Sequence, residues 1–171
     1  MAWERALTEL VQQRGAALKR YGFLLCGDSG DAEDLVQDAL VRTFSSARHP
    51  DIAQLEGYVR KVMLNLYLDR DRRRRVFRRL LPLTVPPAPP DRHAESEVRG
   101  DLRRALQRLS PRQRACVVLH YYLDLPIPEC ADALRVSPGA VKRYLHESRA
   151  RLAEQLGGPP DRDREDGYAA S

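Results

Sequence analysis

Lysine is almost missing from this sequence. Of 29 basic residues only Lys19, Lys61 and Lys142 are lysines, which leaves 26 arginines. Cysteine is scarce too: Cys26, Cys116 and Cys130 form an odd set with no close pair. That excludes a disulfide framework and fits a reducing compartment. No apolar run approaches the roughly 18 residues needed to span a bilayer. The start, Met1-Ala2-Trp3-Glu4-Arg5, lacks the apolar core of a secretion signal, so a cytoplasmic protein without membrane insertion is expected. Alternating strand patterns are nearly absent. Hydrophobic residues make up 43 %, enough for a globular core, so a wholly disordered chain of 171 residues is excluded.

What is present is arginine, unevenly placed. The net charge is only +5. Arg60–Arg79 alone carries nine bases and two acids, a net of +7. A GC-rich genome raises arginine everywhere, so position says more than total. Like charges crowded on about five turns of helix repel one another. A polyanion relieves that repulsion and gains counterion release. The flat guanidinium fork also suits phosphate.

Proline divides the chain. Pro82, Pro86, Pro87, Pro89 and Pro90 fall within nine positions, in an extended linker assigned to 80–97. It separates a first half, 1–79, from a second, 98–156. The tail, 157–171, is polar and expected to be disordered; its Asp161–Asp166 has four acids and two bases. Both halves read as helix, so the fold class is all-α. In Asp31–Arg48 the apolar positions Ala32, Leu35, Val36, Ala39, Leu40 and Phe44 make one stripe. Asp28, Ser29 or Asp31 can cap its start, after Gly27 ends the helix before it. Its other face carries Glu33, Asp34, Gln37, Asp38 and Arg42. Leu55, Tyr58, Val59, Val62, Met63 and Leu66 make a second stripe, with Arg60, Lys61, Asn65 and Asp69 outside it.

The second half carries the sharper pattern. Val98, Leu102, Ala105, Leu106 and Leu109 mark a helix. Ser110-Pro111-Arg112-Gln113 then supplies an N-cap, proline at the first helical position and a capping-box glutamine. Pro126 and Pro128 open a short helix, Glu129–Leu134. After Arg135-Val136, Ser137-Pro138 opens the last one. This is a helix-turn-helix, with small Ala131 at the crossing and Leu134, Val136 and Val141 filling the wedge. Lys142, Arg143, His146 and Arg149 can face one groove together.

These residues resemble a known family. Asp31-Ala32-Glu33-Asp34-Leu35-Val36-Gln37-Asp38-Ala39-Leu40 is similar to the signature helix of bacterial RNA polymerase sigma factors. Tyr58–Leu66 with Asp69 and the arginine run resembles their promoter −10 helix. Ala105–Arg114 through Leu152 is similar to their C-terminal helix-turn-helix domain. Short length and a direct linker resemble the extracytoplasmic-function subgroup, in its SigE-like group. The resemblance covers about Leu7 to Leu156.

The resemblance implies a mechanism: such proteins bind core RNA polymerase, bring it to a promoter and help open the DNA. By resemblance 1–79 is sigma domain 2 and 98–156 is sigma domain 4. The implied partners are the clamp of the beta-prime subunit, the beta flap, promoter DNA and an anti-sigma factor. Glu33, Asp34, Gln37 and Asp38 would dock on the clamp. Asn65 matches an asparagine near an extruded non-template base, with Arg60, Lys61, Arg72, Arg73 and Arg74 holding phosphates. The pocket for that base would lie in a loop from about Ser46 to Leu55. Lys142, Arg143, His146 and Arg149 would read the −35 element in the major groove. Asp91, Glu95 and Glu97 in the linker could mimic nucleic-acid charge in the polymerase cleft.

There are departures. Arg135 stands where the family usually has glycine, and Ala140 where threonine is common. Tyr144 and Glu147 replace frequent arginines; Glu147 would repel phosphate or accept from a cytosine amine. The tryptophan pair that larger sigma factors use for melting has no counterpart, since the only tryptophan is Trp3. Two other classes compete. A free-standing helix-turn-helix regulator would need a dimer surface and a sensor domain. A metal enzyme would have to use Cys116, His120 and Cys130, which lack a fourth ligand, and no nucleophile–base pair or phosphate loop is present. No catalytic residue, metal or cofactor is therefore expected.

Overall fold

The stripes of the first half close on one another as three helices: α1 (Ala2–Cys26), α2 (Ser29–Phe44) and α3 (Ile52–Leu80). In this computed structural model the described residues are 2–45, 52–80 and 97–157. Leu10, Leu18, Tyr21 and Leu25 recur at helical spacing on α1 and are buried against Ala32, Leu35, Val36 and Ala39 of α2 and Leu55, Val59 and Met63 of α3. Gly27 adopts the left-handed conformation (φ +73°) that stops α1. Of the three candidate caps, Asp28 is the one that accepts from the Asp31 amide, at 2.8 Å. Buried Thr43 returns its hydroxyl to Ala39 O at 2.7 Å, which satisfies it within the helix.

Two details differ from the periodicity. Tyr58 is exposed, while Leu64 and Tyr67 are buried. The reason is that α3 packs on two sides, against α1 and α2 and also against the second half. The expected loop Ser46–Leu55 lies outside the described residues except at its end, where α3 already runs and Leu55 is buried. The −10 helix and its arginine run are one continuous helix that reaches Leu80, one residue into the segment assigned to the linker. The rest of the linker, 81–96 with Asp91 and Glu95, and the tail beyond Gly157 lie outside the described residues.

The second half contains α4 (Glu97–Gln107), α5 (Pro111–Val117), a π-helical turn (Val118–Tyr122), α6 (Ile127–Leu134) and α7 (Pro138–Leu156). Glu97, placed in the linker by its sequence, is the first residue of α4. The capping box of α5 is formed in both directions: Ser110 Oγ accepts from Gln113 N and Gln113 Oε1 accepts from Ser110 N, both at 3.2 Å. The π turn has no signature in the periodicity. It lets His120 Nδ1 lie 2.8 Å from Leu125 O. Ala131, Leu134, Val141 and Leu145 are buried at the helix-turn-helix crossing. Ser137 caps α7 by accepting from the Ala140 amide at 3.1 Å. Cys116 and Cys130 are packed thiols facing the carbonyls of Val141 and Leu125. Burial pushes them up to about 12 and about 11, so both stay protonated.

The turn between α6 and α7 is left-handed at Arg135, φ 54° and ψ 47°. Val136 N donates to Ala131 O at 3.0 Å, closing a Schellman cap with Val136 packed on the core. Glycine meets that backbone demand without cost, whereas arginine does not.

The two halves do not stand apart. Arg114, 7 % exposed, is inserted between them. Its Nε donates to Leu106 O at 2.8 Å, and its Nη2 to Gln107 O and Leu109 O, each at 3.1 Å. Its Nη1 crosses to the first half, donating to Leu25 O at 2.8 Å and Tyr67 Oη at 3.1 Å. These five bonds use all five donors of a guanidinium. Beside it, Arg103 Nη1 donates to Gly27 O at 3.2 Å. A Cβ on Gly27 would lie 1.9 Å from Gln107 Nε2, so a larger residue there would displace the Gln107 side chain. Burial holds the Tyr67 phenol up at about 12, partly offset by Arg114, so it serves as a neutral acceptor.

Two stability measurements follow. Arg135→Gly should raise the unfolding free energy by roughly 0.5–1 kcal/mol, read by chemical denaturation. Arg114→Met should lower it by about 3 kcal/mol or more, because several buried carbonyls lose their donors at once. A loss below about 1 kcal/mol would show that water replaces the guanidinium without cost.

Candidate polymerase and promoter interface

Three exposed faces carry the residues singled out in the sequence. The first is on α2. Burial of Ala32, Leu35, Val36 and Ala39 turns Glu33, Asp34, Gln37 and Asp38 outward, and all four are exposed. Two of them are engaged within the chain. Glu33 lies 3.3 Å from Lys19 Nζ, and Asp38 2.5 Å from Arg70 Nη2. Such exposed pairs contribute little stability, typically below about 1 kcal/mol, so both carboxylates can exchange partners. Asp34 and Gln37 lie between them. Val41, 70 % exposed, continues the same face one turn on. Counting only polar residues misses it. Its signal is an apolar side chain three and four positions after Asp38 and Gln37.

The second face is on α3. Lys61, Asn65 and Arg72 are four and eleven positions apart, within about 40° of one another around a helix. Lys61 and Arg72 are exposed and Asn65 is half-buried. Arg73 is exposed on a neighbouring strip. Two predicted phosphate contacts face elsewhere. Arg60 is held by Glu56 at 2.5 Å, and Glu56 also accepts from Arg14 of α1 at 3.1 Å. With its side chain 26 % exposed, Arg60 ties α1 to α3 and is not presented beside Asn65. Arg74 reaches toward Asp31 at the start of α2, 4.0 Å away. Lys61, Asn65 and Arg72 thus share one strip, where Arg72 also pairs with Asp69 at 3.3 Å, while Arg60 and Arg74 lie off it beside Glu56 and Asp31. Spacing within α3 shows the Arg60–Glu56 pair, four positions apart, but not Arg14 or Asp31, which come from other helices.

The third face is on α7. Val141, Leu145 and Ser148 are buried, and Lys142, Arg143, His146 and Arg149 are all exposed on the opposite side. The Arg143 guanidinium lies 5.6 Å from the centre of the Tyr144 ring, which orients it. Glu147 does not join this face. Its carboxylate accepts from Gln113 Nε2 at 2.7 Å, and Gln113 Oε1 also accepts from Arg151 at 3.2 Å. The acid expected to repel phosphate or read cytosine is bound to the capping residue of α5, where it fixes α7 on α5.

A Sigma-70 region 2 model matches residues 10–76, which contain the first two faces. A Sigma-70, region 4 model matches residues 99–152, which contain the third. The chain belongs to the sigma-70 family. It is 35 % identical over 155 residues to the extracytoplasmic-function sigma factor SigE of Mycolicibacterium smegmatis, covering 86 % of this chain and 60 % of that relative. It is 36 % identical over 150 residues to the sigma-E factor of Streptomyces coelicolor, covering 86 % of this chain and 84 % of that one. Among solved structures, the sigma factor RpoE crystallised with the anti-sigma factor NepR from Bartonella quintana has the same fold. The TM-score is 0.64 at 21 % identity, covering 88 % of this chain and 96 % of that one. This sigma factor is therefore of the extracytoplasmic-function, SigE-like kind, a promoter-specificity factor of transcription initiation. No helix among the described residues is long and apolar enough to cross a membrane.

The inward bond of Glu147 makes a two-sided prediction. Glu147→Ala should lose about 1–2 kcal/mol of stability, since the Gln113 amide loses its charged acceptor. The same variant should bind random duplex DNA more tightly at low salt, since the loss of one negative charge makes α7 more positive. Thermal melts and fluorescence anisotropy read the two arms.

Proposed function

We propose that this sigma factor engages core RNA polymerase and both promoter elements through the three faces just described. The carrying observation is that one folded first half exposes an acidic face on α2 and a Lys61–Asn65–Arg72 strip on α3, and the second half exposes a separate basic helix. Residues 1–79 act as domain 2 and residues 98–156 as domain 4, joined by 80–97. Glu33, Asp34, Gln37 and Asp38, with Val41, dock on the polymerase clamp. Lys61, Arg72 and Arg73 hold phosphates while Asn65 meets the edge of an unpaired base, whose edge its amide can both donate to and accept from. Lys142, Arg143, His146 and Arg149 enter the −35 major groove. The protein itself catalyses nothing and works in the cytoplasm, where polymerase and promoter are. An anti-sigma factor is a further proposed partner, as in the Bartonella complex.

The deciding experiment mixes the purified protein with core polymerase and transcribes a genomic promoter library. Specific transcripts are expected; no complex and no transcript would refute the assignment. Three variants separate the roles. Asp34→Lys should weaken core binding about tenfold, roughly 1.4 kcal/mol. Asn65→Ala should leave core binding unchanged and slow promoter opening, read by permanganate footprinting. Arg149→Ala should cost about tenfold in affinity at promoters that depend on the −35 element.

A further inference from the structure

We propose that the free end of α3, residues 72–80, is a docking surface for an anionic lipid bilayer, to which the protein adsorbs without crossing it. This goes beyond the polymerase and promoter reading and turns on three side chains that reading leaves unassigned, Val76, Phe77 and Leu80.

Nothing among the described residues covers this segment. All nine residues from Arg72 to Leu80 are exposed, on every side of the helix. They carry α3 about 13 Å beyond Asp71, its last half-buried residue. A helix end that projects into water is ordinarily polar all round. Here Val76 is 51 %, Phe77 60 % and Leu80 73 % exposed. At the helical turn per residue the three fall within about 100° of one another, so they form one apolar strip. A single exposed apolar side chain is ordinary, but three on one unpacked face mark an interaction site.

The charge around the strip says what covers it. The same nine residues hold six arginines and no acid. Arg73 lies on the strip one turn earlier, Arg72 and Arg79 flank it on one side, and Arg74 flanks it on the other. From those positions the guanidinium groups can reach a layer of phosphates while their stems lie along the apolar side. Acids of the chain hold them loosely. Arg72 lies 3.3 Å from Asp69 and Arg74 4.0 Å from Asp31, with both arginine side chains well exposed. Arg73, Arg78 and Arg79 have no acid partner among the described residues. Nucleic acid would satisfy the arginines but not the strip, because a duplex presents phosphates and keeps its base faces stacked. A bilayer surface satisfies both, with anionic headgroups outside and acyl chains just beneath. The cytoplasmic leaflet carries that negative charge. Two turns of helix are far short of the roughly 20 residues of a span, so the contact is peripheral. Arg72 and Arg73 are also proposed phosphate contacts above, so lipid and promoter compete for them.

The full-length protein is sedimented with vesicles of phosphatidylglycerol in phosphatidylcholine and with vesicles of phosphatidylcholine alone. Binding is expected to the anionic vesicles only, and it should weaken as salt is added. Val76→Gln, Phe77→Gln and Leu80→Gln together remove the apolar strip and keep every arginine. All three positions are exposed, so the helical circular dichroism should not change. This triple variant should lose at least about tenfold in vesicle affinity. Its affinity for random duplex DNA, read by fluorescence anisotropy, should stay within about twofold of the wild type. Arg79→Gln should cost about fivefold at the anionic vesicles. No binding of the wild type to anionic vesicles, or an undiminished vesicle affinity in the folded triple variant, overturns the proposal. An equal loss of duplex affinity in the triple variant also overturns it and assigns the strip to nucleic acid. None of these measurements uses polymerase, so a failure to transcribe would refute the promoter assignment and leave the vesicle result standing.

Discussion

One guanidinium sets the relation between everything else in this molecule. A charged group that is 7 % exposed is tolerable only if its donors are satisfied, and Arg114 satisfies all five with four carbonyls and a phenol. Those acceptors come from the ends of α1 and α4, the turn before α5 and the middle of α3. Helix C-termini leave carbonyls without intrahelical partners, and a cation is favoured there by the helix dipole. The same side chain thus caps two helices and sits where the two halves meet. Gly27 contributes by lacking a side chain, which brings the end of α1 onto Gln107.

Around that point the charges are divided by helix packing. The acids of α2 and the arginines of α3 are neighbours, and several pair: Asp38 with Arg70 at 2.5 Å and Asp31 with Arg74 at 4.0 Å. Within α3, Arg72 also pairs with Asp69 at 3.3 Å and Arg75 with Asp71 at 2.6 Å, so the first half engages much of its arginine with its own acids. In the second half the same sorting turns Glu147 inward to Gln113 and leaves four basic or titratable side chains outward on α7. Electrostatic selection by nucleic acid needs such separation of sign more than it needs net charge.

Much of this was legible. The stripes of α2, α6 and α7, the capping box at Ser110–Gln113 and the caps at Asp28 and Ser137 follow from local chemistry, and each is formed as its residues suggest. The outward faces of α2 and α7 were legible for the same reason, since a buried stripe dictates its opposite. The bonds of Arg74 and Glu147 were not legible, because their partners lie 43 and 34 positions away in the chain, on geometry that no window shows, whereas the Arg60–Glu56 pair is four positions apart on α3. Arg114 directly precedes the apolar run Ala115–Leu119, but a run cannot say which carbonyls will meet it.

By itself the sequence determined the local structure: helix faces, caps, the position of the arginine run and the order of the two sigma regions. It did so because burial and capping depend on spacing within one or two turns. Only the tertiary structure decided which arginines pair with acids of other helices, that Glu147 bonds to Gln113, and that the halves meet through Arg114 instead of standing apart on a tether. Those outcomes depend on which buried donor finds which acceptor across the chain, and that match exists only once the helices have packed.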